Sequence, residues 1–295
     1  MLLSELGEFG LIKKFKQAIK LDASVIKGTG DDCAVLKFDK LHYLLFTCDM
    51  LVEGLDFLKK DDPFLIGRKA IAVSISDIAA CAGVPRYCLV SLGLPKKTSL
   101  KFVERLFKGM RNIAKTYTIN IVGGDLSRAE RIVIDVSMLG RVEKEKLVLR
   151  SRAKKGDIIF VTCSLGGSIR GKHLRFTPRL KEARFLTGNF KINSMLDISD
   201  GLVQDLSHIL EESKVGALIY EDLVPINKGS TLDEALSGGE DFELLFTLGR
   251  KQARKLQLKS NFKAIGEIMD KRYGLRLIDR RGRERKIKAQ GFRHF

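Results

Sequence analysis

The sequence predicts an α/β protein of α+β type that is built from two domains. Strand-like and helix-like segments alternate along the chain, which is typical of sheets packed against helices. At 295 residues the chain is longer than most single domains, and its hydrophobic fraction of 44% is sufficient for a buried core. The charged stretch VEKEKLVLRSRAKKGD separates two alternating halves. We therefore predict one domain over residues 1–145 and a second over residues 146–295.

The first domain is predicted to contain two helices between short strands. One helix begins at Pro63 and ends before Gly83 and Pro85, because proline suits the first helical turn and the later pair stops a helix. The second helix, at residues 99–116, carries apolar residues at a helical spacing. Apolar runs bounded by turn residues predict strands at residues 33–38, 43–48, 87–94, 119–122 and 132–140.

The second domain is predicted to contain a helix that begins at Ser199-Asp200, since both residue types favour the start of a helix. Its strands are predicted at residues 157–163, 217–220, 242–247, 262–268 and 275–279. The segment Gly166–His173 matches the phosphate-binding pattern GxxxxGK. However, His173 replaces the usual Ser/Thr, and Pro178 leaves little room for the helix that must follow. We therefore do not predict a P-loop.

The composition argues against several classes of protein. The formal charge of +17 favours anionic partners such as nucleotides and phosphorylated substrates, but the sequence contains no recognised nucleic-acid motif. No apolar run approaches the roughly 20 residues of a membrane-spanning helix, and MLLSELGEFG does not resemble a signal peptide. The five cysteines form no CxxC pair and are predicted to be reduced. We predict a cytoplasmic protein with neither a nucleic-acid nor a membrane partner.

Aspartates in unusual surroundings recur along the chain. Most of them could equally be turn or cap residues, but Asp77 lies in an apolar helical pattern and must find a partner there. Crowded carboxylates repel one another unless cations intervene, and Mg²⁺ is a cation that carboxylates share with substrate phosphates. Neighbouring glycines let the backbone approach phosphate oxygens. The pattern predicts a site in which metal ions bridge carboxylates and a polyphosphate, with leading candidates Asp32, Asp49, Asp77, Asp125 and Asp200.

Eight motifs occur in a distinctive order over nearly the whole chain. They are GEFGLI, GTGDDCAVL, TCDMLVEG, KAIAVSISDIAA, IVGGDLSR, DISDGL, SGGEDFELLFT and the terminal GFRHF. In this order they resemble the thiamine-monophosphate kinase family of the aminoimidazole-ribonucleotide synthetase superfamily. The resemblance implies an N-terminal mixed-sheet domain that pairs in a homodimer, with ATP bound near the subunit interface. It also implies a C-terminal α/β domain that completes the substrate site.

The resemblance further implies roles for residues at matching positions. Magnesium contacts would come from Asp32, Thr47, Cys48, Asp49, Asp77, Asp125, Asp197 and Asp200. ATP contacts would come from Phe107, Gly124, Asp125, Arg150 and Ser199, with the Phe107 ring stacked on adenine. Substrate contacts would come from Asp56, Glu240 and Phe292.

The implied reaction transfers a phosphoryl group from ATP to thiamine monophosphate and forms thiamine diphosphate. The accepting phosphate oxygen is already anionic near neutral pH, since the second pKa of a phosphate is roughly 6. No general base and no other catalytic side chain are therefore expected. Several magnesium ions would hold the two anions in line and neutralise their charge.

Three departures from the family pattern leave alternatives open. Asp56 stands where a histidine is usual, Cys48 offers a soft sulfur in place of a threonine hydroxyl, and the segment at residues 167–172 is short. One alternative is a catalytically weakened, nucleotide-binding homologue. The other is a related ATPase of the superfamily, such as a selenophosphate or purine-pathway synthetase.

Overall fold

The computed structural model describes residues 3–292, and within that range two sheets pack with seven α-helices. The helices are α1 (Leu3–Ala18), α2 (Pro63–Ala80), α3 (Leu100–Thr116), α4 (Leu180–Asn189), α5 (Leu202–Ser213), α6 (Leu232–Ser237) and α7 (Arg250–Lys259). The strands are β1 (Val25–Lys27), β2 (Ala34–Lys37), β3 (His42–Val52), β4 (Val84–Leu94), β5 (Asn120–Arg128), β6 (Val133–Glu143), β7 (Asp157–Val161), β8 (Ser194–Asp197), β9 (Gly216–Tyr220), β10 (Leu244–Gly249), β11 (Lys263–Met269), β12 (Leu275–Ile278) and β13 (Glu284–Lys286). The predicted two-domain α/β architecture is confirmed. The predicted boundary after residue 145 lies between β6 and β7, and its position stays a prediction.

The first sheet has the strand order β1-β2-β3-β6-β4-β5 and is mixed, since β4 and β5 run parallel and the other pairs run antiparallel. Two strands are longer than the sequence pattern predicts. Asp49 lies inside β3 rather than at its end, and Asp125 lies inside β5, which continues to Arg128. Successive side chains of a strand face opposite sides, so a strand can present polar groups to a site without ending there.

Helix α2 lies between the two sheets and is buried along most of its length. Asp62 begins it by accepting a hydrogen bond from the backbone N–H of Phe64 at 2.9 Å, with Pro63 in the first turn. Gly67 lets α3 approach closely, because a Cβ there would lie 2.0 Å from the Leu106 carbonyl oxygen. This burial means that every polar side chain of α2 needs a partner.

The second sheet has the strand order β13-β12-β9-β11-β7-β10-β8, and among its pairs β12 and β9 run parallel. Alternate residues of β7 serve the two faces. Ile159 and Val161 belong to the core that contains α5 and α6, whereas Phe160 belongs to the core that contains α2, α4 and α7. The larger core is therefore shared by both sheets, and α2 is its central element.

Several elements differ from the prediction. Helices α1, α4, α6 and α7 were not predicted, and the helix expected at Ser199-Asp200 begins at Leu202. The carboxylate of Asp205 explains this delay, because it accepts the backbone N–H groups of Asp200 and Gly201 at 3.0 Å and holds them in a turn. Residues 168–174 form two short 3-10 turns, so the GxxxxGK match is not followed by the helix of a P-loop.

The structure also bears on the predictions about membrane-spanning helices and about the cysteines. No helix within residues 3–292 is both long and apolar enough to cross a membrane. The five cysteines are free, as predicted; Cys48 and Cys163 are exposed, whereas the other three are buried.

Candidate active site

Three carboxylates from three separate elements meet between the two sheets. Asp32 lies in the loop between β1 and β2, Asp77 on α2, and Asp197 at the end of β8. Each offers an oxygen that lies within 4.8 Å of the oxygens offered by the other two. Both domains therefore supply ligands to one acidic cluster, which we name the carboxylate cluster (Asp32, Asp77 and Asp197).

Hydroxyl groups from neighbouring elements hold two of these carboxylates. Thr47 of β3 donates a hydrogen bond to Asp77, and Ser76 of α2 donates one to Asp197 at 2.5 Å. Asp49, two residues after Thr47 on the same face of β3, accepts a bond of 2.6 Å from Ser74. These donors fix the direction of each carboxylate and leave its second oxygen for another partner.

Arg150 balances part of the negative charge. Its guanidinium lies 2.6 Å from Asp32, whose side chain is 1% exposed. Its backbone N–H faces the carboxylate of Asp31 at 3.3 Å, and its carbonyl accepts a hydrogen bond from Ser213 of α5. Arg150 therefore connects the Asp31-Asp32 loop of the first domain to the second domain.

Removal from water governs the charge state of the cluster. Burial, reinforced by the charge of Asp32, raises the pKa of Asp197 and that of Asp31 to about 7. Burial likewise raises the pKa of Asp49 to about 6, and that of Asp77 well above its ordinary value because Asp49, Asp197 and Asp32 lie close by. The site thus concentrates negative charge that one arginine cannot balance.

The cluster fits a hard cation. Asp32 Oδ2 is buried and has no hydrogen-bond partner within residues 3–292. Such an orphaned acceptor is costly unless a donor or a metal engages it. Three closely spaced carboxylates with a hydroxyl nearby are the oxygen donors that Mg²⁺ takes. Asp32, Asp77 and Asp197 could therefore hold a divalent cation, with Asp49 and Thr47 adjacent.

The repulsion between these crowded carboxylates predicts that the stabilising effect of magnesium depends on pH. Between the ordinary pKa of 3.8 and the raised values of about 6 to 7, the folded protein binds more protons at Asp31, Asp49 and Asp197 than the unfolded chain does. The free energy of unfolding of the metal-free protein should therefore fall as the pH rises from about 4 to 7. His208 opposes this trend, since burial lowers its pKa to about 4, but three carboxylates outweigh one imidazole.

A cation that neutralises the cluster should remove this penalty. We expect MgCl₂ to raise the unfolding temperature at pH 8 by several degrees more than at pH 5, measured by thermal unfolding against NaCl of equal ionic strength. An equal shift at both pH values would contradict the prediction.

Two predicted metal contacts, Cys48 and Asp125, lie away from the carboxylate cluster. Cys48 is exposed and, by the alternation of β3, faces away from the carboxylate cluster that Thr47 contacts. Asp125 is exposed on β5, paired in register with Ser91 of β4. The structure therefore does not bring either residue to the cluster. Both lie on the sheet face opposite α2.

Asp200 belongs to a second group of possible ligands. One carboxylate oxygen of Asp200, one of Asp205 and a ring nitrogen of His208 lie within 4.8 Å of one another. Phe9 of α1 packs against the His208 ring at a centroid distance of 5.1 Å. Asp205 and His208 were not predicted from the sequence, although their spacing of three residues on one helix face was a usable signal.

Two of the three predicted substrate residues, Glu240 and Phe292, lie at the loop after β8. The backbone N–H of Glu240 donates to the Ser199 carbonyl at 2.6 Å, and that of Phe292 donates to the Asp200 carbonyl at 3.0 Å. Ser199, Glu240 and Phe292 are thus brought together. Asp56 has a local role as well, because its carboxylate accepts the backbone N–H of Val52 at 2.7 Å and closes the turn after β3.

The predicted nucleotide residues have mixed placements. Phe107 lines a groove of about 930 Å³ between α3 and β5, together with Arg111, Asn112, Lys115 and Asn120. Gly124 is required by strand packing, because a Cβ there would lie 1.7 Å from the Val90 carbonyl oxygen. The glycine therefore has a structural reason that does not depend on a nucleotide.

Sequence reasoning missed three polar residues of α2. Ser74 and Ser76 hold Asp49 and Asp197, and Lys69 forms an ion pair with Glu240. The available signal was the one that identified Asp77: each is a polar residue in a helix that is otherwise apolar and buried on most sides.

Comparison with known proteins identifies the family. The chain matches the model of AIR synthase related protein, N-terminal domain, over residues 30–142, and the model of its C-terminal domain over residues 142–275. A thiamine-monophosphate kinase of Buchnera aphidicola subsp. Schizaphis graminum (strain Sg) is 37% identical over 328 aligned positions, which cover 99% of each chain. This chain belongs to the thiamine-monophosphate kinase family. The resemblance predicted from eight motifs is thereby confirmed.

Other members of the thiamine-monophosphate kinase family are similar over most of their length. The relative from Aquifex aeolicus (strain VF5) is 36% identical over 84% of this chain and 87% of its own. The solved structure described as AaThiL complexed with AMPPCP and TMP has a TM-score of 0.88 at 32% identity, and covers 100% of this chain and 99% of that one. Escherichia coli HypE, a hydrogenase maturation protein, has a TM-score of 0.73 at 19% identity, which shows a shared fold alone.

Proposed function

We propose that this protein transfers the terminal phosphoryl group of ATP to thiamine monophosphate and forms thiamine diphosphate. The observation that carries the proposal is the carboxylate cluster (Asp32, Asp77 and Asp197), which both domains build in a member of the thiamine-monophosphate kinase family. A relative of the same fold binds AMPPCP, an ATP analogue, and TMP. A cluster of hard oxygen ligands beside a basic side chain is suited to phosphoryl transfer.

We propose magnesium as the cation of this site, held by Asp32, Asp77 and Asp197 with Asp49 and Thr47 beside them. Bound magnesium would supply charge neutralisation to the phosphates and positioning of donor and acceptor. The chain's own contribution is to orient the ligands: Thr47, Ser74 and Ser76 fix the carboxylates. Roles for Asp200, Asp125 and Cys48 remain proposals that rest on the resemblance.

Arg150 and the groove at Phe107 support a nucleotide site. The Arg150 guanidinium is held against Asp32, where it can also offer donors to a phosphate once the cluster is neutralised. Phe107 is 44% exposed on the wall of its groove, so its ring is free to stack on a base. We propose that Ser199 and Gly124 contribute backbone contacts to the same nucleotide.

The outer face of the first sheet supports a homodimer. Phe46, Met50, Tyr87 and Leu89 project from β3 and β4 on the side opposite α2, each between 44% and 59% exposed. A sheet face with this much exposed apolar surface is typical of an interface. Cys48 and Asp125 share this face, and a partner subunit could complete their surroundings. A cytoplasmic location also belongs to the proposal.

Purified protein incubated with ATP, MgCl₂ and thiamine monophosphate should form thiamine diphosphate and ADP in equal amounts. Omission of either substrate or of magnesium should abolish both products. ATP-analogue binding without thiamine diphosphate would instead indicate a homologue that has lost catalysis. ADP release stimulated by selenide or by a purine precursor, but not by thiamine monophosphate, would indicate a related synthetase.

The exposed residue Asp125 gives a sharp test of the residue roles implied by the resemblance. We expect Asp125→Asn to lower turnover at least about a hundredfold, as loss of a metal ligand would, and to leave the unfolding temperature unchanged, because the side chain is exposed. Asp222→Asn, at a side chain 63% exposed in the second domain, should change neither quantity. Turnover of Asp125→Asn within threefold of the unmodified protein would remove Asp125 from the site.

A further inference from the structure

One lysine lies fully buried between the two domains. The side chain of Lys69, on α2, is 0% exposed. Its ammonium donates a hydrogen bond to the carbonyl oxygen of Asp56 at 2.6 Å and forms an ion pair with Glu240 Oε1. Asp56 follows β3 in the first domain, whereas Glu240 precedes β10 in the second. A single ammonium therefore joins two loops that lie far apart in the sequence.

Packing alone does not explain a charge at this position. The neighbouring positions of α2 are filled by apolar side chains such as Ile66 and Ala70, which are fully buried. A buried ammonium is unfavourable unless it is paired, and an apolar side chain of similar volume often serves stability equally well. What Lys69 provides beyond packing is a fixed position for its two partners.

Glu240 is held in an unusual conformation by these contacts. Its backbone φ of +65° lies in the left-handed region, which residues other than glycine adopt rarely. Its backbone N–H is bonded to the Ser199 carbonyl, and Oε1 is engaged by Lys69. Oε2 is buried and has no hydrogen-bond partner within the described part of the chain. One carboxylate oxygen is thus fixed, and the other is an acceptor without a donor.

The surroundings of that acceptor belong to the proposed substrate site. Phe292 lies against the glycine that precedes Glu240, since a Cβ on Gly239 would be 3.5 Å from the Phe292 Cβ. The backbone of Phe292 is bonded to Asp200. An aromatic residue next to the residue that precedes a carboxylate suits a flat, nitrogen-rich ring that carries an amino group, because an aromatic ring can stack on it while the amino group donates to the carboxylate.

We propose that Lys69 is a positioning residue for the heterocycle of the substrate. It holds Glu240 Oε1, so that Oε2 is presented to the amino group of an aminopyrimidine ring, and it fixes the Asp56 loop on the opposite domain through the carbonyl. The proposal rests on the proposed function, since thiamine monophosphate carries such a ring. Lys69 is fully buried and does not touch the substrate, so its effect passes through Glu240.

Calorimetric titration with thiamine monophosphate, and separately with AMPPCP and magnesium, tests the assignment in the full-length protein. We expect Lys69→Met to weaken the Kd for thiamine monophosphate by about tenfold to fiftyfold and to leave the Kd for AMPPCP within twofold. Turnover assays should show the loss mainly in KM. A role in folding alone would lower the unfolding temperature and weaken both ligands together.

A double-mutant cycle tests whether the effect passes through Glu240. Glu240→Gln should weaken thiamine monophosphate binding, and adding Lys69→Met to it should weaken binding by less than twofold more. This comparison also stands if Lys69→Met alone does not fold, because the double variant leaves no buried charge unpaired. Lys172→Met is the matched control: Lys172 lies in a separate turn and pairs at 3.4 Å with Asp241, the residue after Glu240, so this variant should leave both Kd values within twofold.

Four outcomes would overturn the assignment. If the unmodified protein phosphorylates thiamine monophosphate and Lys69→Met binds this substrate equally well, Lys69 is not a positioning residue and the proposed function still stands. If Lys69→Met weakens thiamine monophosphate binding as much in Glu240→Gln as in the unmodified protein, Lys69 does not act through Glu240. An equal loss in Lys172→Met assigns the effect to the stability of the loop. If the unmodified protein neither binds nor phosphorylates thiamine monophosphate, the proposed function fails and the assignment falls with it.

Discussion

Asp77→Asn is expected to lower turnover about a thousandfold and, at the same time, to raise the unfolding temperature of the metal-free protein. The carboxylate lies on a buried helix within 4.8 Å of oxygens of Asp32 and Asp197. Burial and these neighbours already raise its pKa well above the ordinary value, so its charge is unfavourable when no cation is present. An amide of the same shape removes the repulsion and can still accept the hydrogen bond from Thr47.

The loss of turnover has a separate cause. A neutral amide is a weaker ligand for magnesium than a carboxylate, and removing one charged ligand costs on the order of 4 kcal/mol of transition-state stabilisation, which corresponds to about a thousandfold in rate. Opposite changes in activity and stability are typical of a site that is strained for function.

Asp157→Asn is the matched control for this substitution. Asp157 is 3% exposed, as is Asp197 of the cluster, but it is fully engaged by Asn193 at 2.8 Å and by the backbone N–H of Lys154 at 2.9 Å. We expect it to lower the unfolding temperature and to leave turnover near that of the unmodified protein. Thermal unfolding in a chelator, with steady-state assays in MgCl₂, measures both variants. Turnover of Asp77→Asn within tenfold of the unmodified protein would show that Asp77 is not a metal ligand.

Arg150→Met is expected to destabilise the protein by about 3 kcal/mol, the reverse of the Asp77 effect, because it removes the cation that Asp32 faces. The Asp32 side chain is 1% exposed, so water cannot replace the lost partner. The backbone bonds of Arg150 to Asp31 and Ser213 should persist, which limits the change to the guanidinium. We also expect weaker binding of ATP analogues, since a phosphate would lose the same donor.

Chemical denaturation with and without MgCl₂ measures this effect. Magnesium should restore part of the stability of Arg150→Met, because it supplies the positive charge that the substitution removes. The matched control is Arg184→Met, which removes another arginine paired with a carboxylate, Glu143, at 2.6 Å. That pair is 27% and 31% exposed, so its loss should cost only about 1 kcal/mol. Equal costs for the two variants would mean that the site gains nothing from the charge of Arg150.

Particular residues show how far the sequence could predict the site. The structure brings Thr47 and Asp49, both implied by the resemblance, close to Asp77, and their spacing of two residues on a strand puts them on one face. The same alternation already places Cys48 on the other face, so the sequence contained the reason to separate it from them. Ser74, Ser76 and Lys69 carried the same signal as Asp77, a polar residue in a buried apolar helix. The partner of Lys69 could not be foreseen, since Glu240 is 171 positions away.

The scattered aspartates show what the sequence determined about this protein and what only the tertiary structure decided. The sequence determined the α/β class, most of the strands, helices α2 and α3 and the family, because periodicity and motifs are read directly from the chain. It also predicts a common use of the carboxylates as metal ligands. Only the tertiary structure decided which carboxylates meet. It gathered Asp32, Asp77 and Asp197 around α2 and left Asp125 exposed on the far face. Packing of two sheets on one shared helix is a long-range property, so distances in space between these residues do not follow from their spacing in the chain.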